Sequence, residues 1–208
     1  MQTPVTTGPP HVPLRHSRWP VHKTPRWLWV AAALVLVGSI LVGLAHHPSR
    51  AERATDMNGF LHDMTYDIQS CAGGVSESLT ALHEIQSGAS HEVATATGIA
   101  TYGAANCSPA NNELLADLTQ YQVTESLASF RLDRVANGLV TWAFPDAQNV
   151  QTDVARILQS QGAAQAAASA RLQHDLQTLD RQRAYLDKIM MTAVRATGAT
   201  GRLPALPG

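Results

Sequence analysis

Lysine is nearly missing from this chain: of its 15 cationic residues only Lys23 and Lys188 are lysines. With abundant alanine, that is the usage bias of a GC-rich bacterial coding sequence. Aromatic residues make up only 5% of the 208. No stretch alternates apolar and polar residues over the length of a strand, which excludes a sandwich or barrel of β-strands. Two cysteines without a C-x-x-C exclude a thioredoxin-like dithiol and a four-cysteine zinc site. A phosphate-binding Walker loop and a G-x-S-x-G nucleophile turn are missing as well.

Histidine is present but badly spaced for chemistry. His83-Glu84 and His91-Glu92 begin like a zinc motif, yet Ser87 and Thr95 stand where the second His of H-E-x-x-H belongs. A carboxylate-bridged di-iron bundle needs Glu three residues before His. Gly59, Thr80, Gly88 and Arg171 occupy those places before His62, His83, His91 and His174. The expectation is a protein that is not an enzyme and carries no cofactor or metal. The alternative is a metal-binding or redox enzyme built on these His/Glu pairs or on the cysteines.

No carboxylate precedes Glu52, and no charge of either sign interrupts the 19 residues from Trp27 to Ala45. As a helix that run is about 28 Å long, the thickness of a bilayer's hydrocarbon core, so it is expected to be a single transmembrane helix. Arg15, Arg18, Lys23 and Arg26 precede it, which places the N-terminus in the cytoplasm. Trp19, Trp27 and Trp29 fit the headgroup belt of that side. Gly43 and Ala45 also offer a signal-peptidase site after Ala45, but an uncleaved signal anchor suits the long apolar run better. His46-His47 would then lie at the outer surface.

Residues 1–26, with six prolines and no apolar run, are expected to form a disordered cytoplasmic tail whose four cations read first as a topology signal, with contact to membrane lipid headgroups as the alternative. Ser39-x-x-x-Gly43 has the small-residue spacing of a helix pair and so suits a homo-oligomer. All 16 acidic residues follow the span. Four of the 15 cations precede it, which leaves 11 against 16 outside, and a net negative part of this kind is not a nucleic-acid binder.

Residues 46–197 read as an extracytoplasmic antiparallel bundle of about four helices, making the whole chain all-α with one anchor and one disulfide. Ser49-Arg50-Ala51-Glu52 has the spacing of a capping box. The helix after it carries the seam Met57, Leu61, Met64, Ile68, Cys71, Val75, Leu79, Leu82, and Gly88 closes it. A short second helix to about Ala105 follows, its face formed by Val93, Ala96, Ile99, Ala100 and Gly103, small enough for two backbones to come close. A third long helix is expected from Ser108-Pro109 to Trp142, with Leu114, Leu118, Tyr121, Ala128, Leu132, Val135, Leu139 and Trp142 inside. Phe144-Pro145-Asp146 is read as its end and as the cap of a long fourth helix to Gly198. Residues 198–208 are expected to be a disordered tail.

The cysteines sit symmetrically about the first turn. Cys71 lies 17.5 positions before the centre of the 88/89 turn and Cys107 lies 18.5 after it, so an antiparallel hairpin brings them to one height, and a bridge is expected. Trp142 and Phe144 fall together in the expected distal loop, either capping the bundle or offering an aromatic contact to a partner. In periodicity alone the outer part resembles the helical sensory modules of bacterial receptors, but no second apolar span follows. The expected function is therefore a membrane-anchored envelope scaffold or sensor that binds a protein partner through its helical surface. Carriage of a small molecule or lipid inside the bundle is the remaining reading.

Overall fold

The computed structural model describes residues 26–45 and 47–208, with the side chains of 27–39 only in the first helix. The expected N-terminal tail, the cleavage position at residue 46 and its histidine lie outside the described residues. Every regular element among the described residues is helical, and the chain divides into two compact units, Met1–His46 and His47–Gly208. In the first, α1 runs from Arg26 to Ala45. Its described large apolar side chains are exposed, Leu34 and Val35 by 67% and 69%. Among the described residues no helix is long and apolar enough to cross a membrane.

In the second unit α2 (Arg50–Ser87) starts on the expected capping box: the Glu52 amide donates to Ser49 Oγ at 3.1 Å and the Ser49 amide to Glu52 Oε2 at 3.3 Å. It ends at Gly88, whose φ of 75° admits the left-handed turn that reverses the chain. The seam is buried as expected except Leu79, which is half-buried, and it widens to include Phe60, Gly74, Ser78 and Ala81. Ser90 does not cap α3 (Val93–Asn106); Glu92 holds that position without a side-chain bond. Ala96, Ala100, Gly103 and Ala104 form the buried face of α3, while Val93 is exposed and Ile99 half-buried.

The expected third long helix does not exist. After Cys107 the chain makes a turn, then α4 (Glu113–Leu118), capped by Asn112 through its bond from the Leu114 amide. An irregular stretch, a 3₁₀ helix (Glu125–Phe130) and α5 (Asp133–Gly138) follow. The physical reason is that α3 is far shorter than α2, so the N-terminal half of α2 has no partner from the hairpin. The broken segment fills that half. Leu115, Leu118, Leu127 and Leu132 are buried there, Tyr121 meets Phe60 edge-on at 5.5 Å, and Ser126 Oγ donates to Asp56 Oδ2.

Phe144-Pro145-Asp146 does not end a helix either. α5 passes through a π-helical turn (Leu139–Ala143) directly into α6 (Phe144–Gln159). A proline in a helix lacks an N–H and crowds the carbonyl four residues earlier, and the wide π turn lies where Pro145 needs that room. The long fourth helix is two helices instead. α6 stops at Ser160-Gln161, both extended, and Gly162, at φ 61°, starts α7 (Gly162–Thr197). The pairs Gln165/Ile157, Arg171/Asp153 and Gln182/Asp146 move apart in opposite directions along the chain, so α6 and α7 are antiparallel.

α2, α3, α6 and α7 thus make a four-helix bundle on one half, and α2 and α7 continue beyond α3 with the broken segment packed against them. Residues 198–208, expected to be disordered, are ordered on this bundle. The Thr200 and Gly201 amides donate to Asn58 Oδ1 at 3.1 and 2.8 Å, and Leu206 is buried. Proline and glycine remove helix but not contact: Asn58 of α2 supplies the acceptor for the Thr200 and Gly201 amides.

Candidate functional site

Cys71 and Cys107 are bonded, their Cα atoms 4.6 Å apart. Both are buried, and a third helix closes over them. Gln151 of α6, fully buried, donates through Nε2 to Cys107 Sγ at 3.0 Å and to the Ala147 carbonyl at 3.3 Å. Its Oε1 accepts from Ser78 Oγ at 3.3 Å. The amide fits because Gly74 and Gly103 face it without side chains: a Cβ on Gly103 would stand 1.8 Å from Gln151 Oε1, and one on Gly74 3.0 Å from the Gly103 Cα. This node joins α2, α3 and α6 away from solvent, which makes the bridge a structural one.

Trp142 and Phe144 are not brought together. Phe144 is 0% exposed and part of the core, whereas Trp142 is 47% exposed, so neither caps the bundle from a loop. The expected inward register for Trp142 counted three residues on from Leu139. The π turn makes the inward step four, so Ala143 is buried in its place. Trp142 lies instead against Tyr185 of α7, ring centroids 6.5 Å apart. Thr178, Arg181 and Gln182 complete this shallow patch, and the Gln182 Oε1 behind it is buried with no hydrogen-bond partner.

Tyr185 also lines a groove of about 440 Å³ with Ser129, Phe130, Arg131, Arg134, Lys188, Ile189 and Thr192. Tyr185, Lys188 and Thr192 follow at steps of three and four, one face of α7. Arg131 and Arg134 are brought to them by a reversal at Arg131, whose φ of 58° is the one positive value at a non-glycine residue among those described. Holding a long side chain there costs on the order of 1 kcal/mol. None of the three cations makes a side-chain hydrogen bond or ion pair among the described residues. No carboxylate lines the groove. Sequence reasoning missed it because its residues come from two segments that only the broken third element brings together.

Asp67 of α2 is half-buried near Asp117 of α4. Burial pushes its pKa above the ordinary 3.8, and Asp63 and Asp117 push in the same direction. A carboxyl raised in the folded protein contributes stability that is complete below the unfolded value and lost as pH rises through the folded one. Asp67→Asn should therefore raise the urea midpoint at pH 7 relative to wild type, and the difference should shrink as pH falls toward the ordinary carboxylate range. A difference that grew on acidification would contradict this placement. Tyr121 is raised by burial and by Asp63 and Asp67, so the same variant should lower its titration.

His83, His91, Glu84 and Glu92 are exposed around the turn after α2, with Glu92 Oε2 accepting from Thr95 Oγ1 at 3.1 Å. Among the described residues no three His, Cys, Asp or Glu side chains gather as a metal site. Compared with known proteins, the chain matches no family model, no curated protein and no solved structure.

Proposed function

We propose that this chain is a non-enzymatic, membrane-anchored envelope protein whose helical outer unit binds a protein partner as a scaffold or sensor. The observation that carries the reading is the Trp142/Tyr185 face: a half-exposed indole beside an exposed phenol on a well-packed bundle, the residue types that anchor protein interfaces. Anchoring rests on the apolar run 27–45 with cations before it, and on the exposed apolar side chains of α1, which water does not favour. Protease added outside intact cells should digest the outer unit and leave an N-terminal membrane fragment; recovery of a mature chain starting at His46 would remove the anchor.

The two aromatics now separate stability from binding. Phe144→Ala should lower the unfolding free energy by about 3–5 kcal/mol, the cost of emptying a buried aromatic site. Trp142→Ala should leave the urea midpoint almost unchanged. A photoactivatable residue at position 142 should form a discrete crosslinked product in intact cells, while one at position 77, on an exposed part of α2, should not. A product consisting of two copies of the chain would identify the partner as itself. Equal, diffuse labelling at both positions would refute a partner at this face.

A further inference from the structure

The groove beside that face has a charge and a position that protein binding does not require. Five of the other cations of this unit are engaged: Arg156 and Arg171 close on Asp153, Arg183 on Asp180, Arg53 donates to the Pro48 carbonyl and Arg181 to the Gln177 carbonyl, whereas Arg50, Arg195 and Arg202 make no such bond among the described residues. Arg131, Arg134 and Lys188 are gathered around one cavity and left without acids, in an outer part where acids outnumber bases. Mutual repulsion and the left-handed backbone at Arg131 both oppose this arrangement, and an anion between the three would offset both.

The groove also lies at one particular end of the bundle. Lys188 is nine residues before the end of α7 at Thr197, about 14 Å along the helix. Gly198 then sits beside Arg50, the first residue of α2, where the chain enters the unit. If the chain enters from a bilayer, the headgroup layer is the nearest source of anions. Phe130, Tyr185 and Ile189 give the groove an apolar wall next to the hydroxyls of Ser129 and Thr192. That combination suits a phosphodiester carrying an apolar body, and the volume is that of a small-ligand site.

We propose that this groove binds the headgroup phosphate of an anionic phospholipid, with Arg131, Arg134 and Lys188 on the phosphate and the Phe130/Tyr185/Ile189 wall against the glycerol and first methylenes. The choice of lipid over an acidic peptide rests on the anchored reading above. The test does not, because short-chain lipids dissolve and reach the groove whether or not α1 spans a membrane.

The experiment is native mass spectrometry of the full chain in non-ionic detergent, titrated with dihexanoyl-phosphatidylglycerol, dihexanoyl-phosphatidylcholine, inorganic phosphate or octaglutamate. The expected result is one saturable phosphatidylglycerol adduct, on the order of tenfold tighter than any of the others. Arg131→Gly should weaken it on the order of tenfold while the urea midpoint holds or rises, since glycine accepts the φ of 58°. Arg134→Gln with Lys188→Gln should abolish it. Equal binding of phosphatidylcholine, undiminished binding in these variants, equal affinity for inorganic phosphate, or tighter binding of octaglutamate would each overturn the lipid site. Loss of the protease-protected fragment with binding intact would overturn the anchor alone.

Discussion

Gly103→Ala is expected to lower the unfolding free energy by about 3–5 kcal/mol, against the direction of helix propensity, in which Ala is better than Gly by about 1 kcal/mol. The new methyl group would stand 1.8 Å from Gln151 Oε1 and 3.3 Å from the Gly74 Cα. The backbone of α2 cannot yield without parting the hairpin, so the amide must leave. Its displacement breaks the bonds to Ser78, the Ala147 carbonyl and Cys107 Sγ, costing about 1–3 kcal/mol for a buried group, and overpacking adds a similar amount. Gly98, on the same helix, has nothing within 4 Å of an added Cβ. Gly98→Ala should therefore stabilise, and urea unfolding of the two variants should give opposite signs. Gln151→Ala placed in the Gly103→Ala background should restore part of the loss, the coupling of two residues in contact. Two stabilising alanines would mean that the helices do not approach as closely as the node requires.

Removing the bridge should have an effect of comparable size. Cys71 and Cys107 are 36 residues apart, and closing a loop of that size constrains the unfolded chain by about 4 kcal/mol in the chain-entropy treatment. The Cys71→Ala/Cys107→Ala variant also loses the sulfur that accepts from Gln151. Its urea midpoint should fall well below wild type while far-UV circular dichroism in the absence of urea stays helical, because the seams of α2, α6 and α7 do not depend on the bridge. Reductant should lower the wild-type midpoint toward that of the variant and leave the variant unmoved. An unchanged midpoint on reduction would show that the node, rather than the covalent link, carries the stability.

These expectations differ in how much of their basis can be read without coordinates. The capping box, the α2 seam, the glycine stop at 88 and the pairing of the cysteines are all local or follow from symmetry about one turn. They depend on 3.6 residues per turn and on a hairpin, and both hold. Small residues on α3 pointed to a close helix pair, and Gly74 against Gly103 is that pair. The residue that fills the gap, Gln151, gave no signal, since a glutamine on an amphipathic helix reads as surface until the facing helices are known to lack side chains.

The errors have a common origin. From residue 108 to 143 apolar residues recur often enough to pass for one helix, but the elements there are a turn or two long and are held by tertiary partners: Phe60 for Tyr121, Asp56 for Ser126. One π turn was enough to exchange the fates of Trp142 and Ala143. The break at Ser160 carried a weak sign, Gly162, which the alanine-rich stretch after it obscured. Asp153, only 2% exposed and held by Arg156 and Arg171 on its Oδ1, could not be told from the solvated acids around it.

By itself the sequence determined the all-helical class, the first hairpin and its disulfide, because periodicity, caps and spacing along one chain are properties of the chain. Only the tertiary structure decided which half of α2 lacks a helical partner, and therefore that residues 108–143 break up to cover it. The groove with Arg131, Arg134 and Lys188 follows from that mismatch in helix length, while the π turn decides the exposure of Trp142 and Asn58 of α2 the docking of residues 198–208. A site made of two segments that meet only after a third has been forced to bend has no signature in either segment, and its charges become visible as a cluster only when the backbone brings them to one cavity.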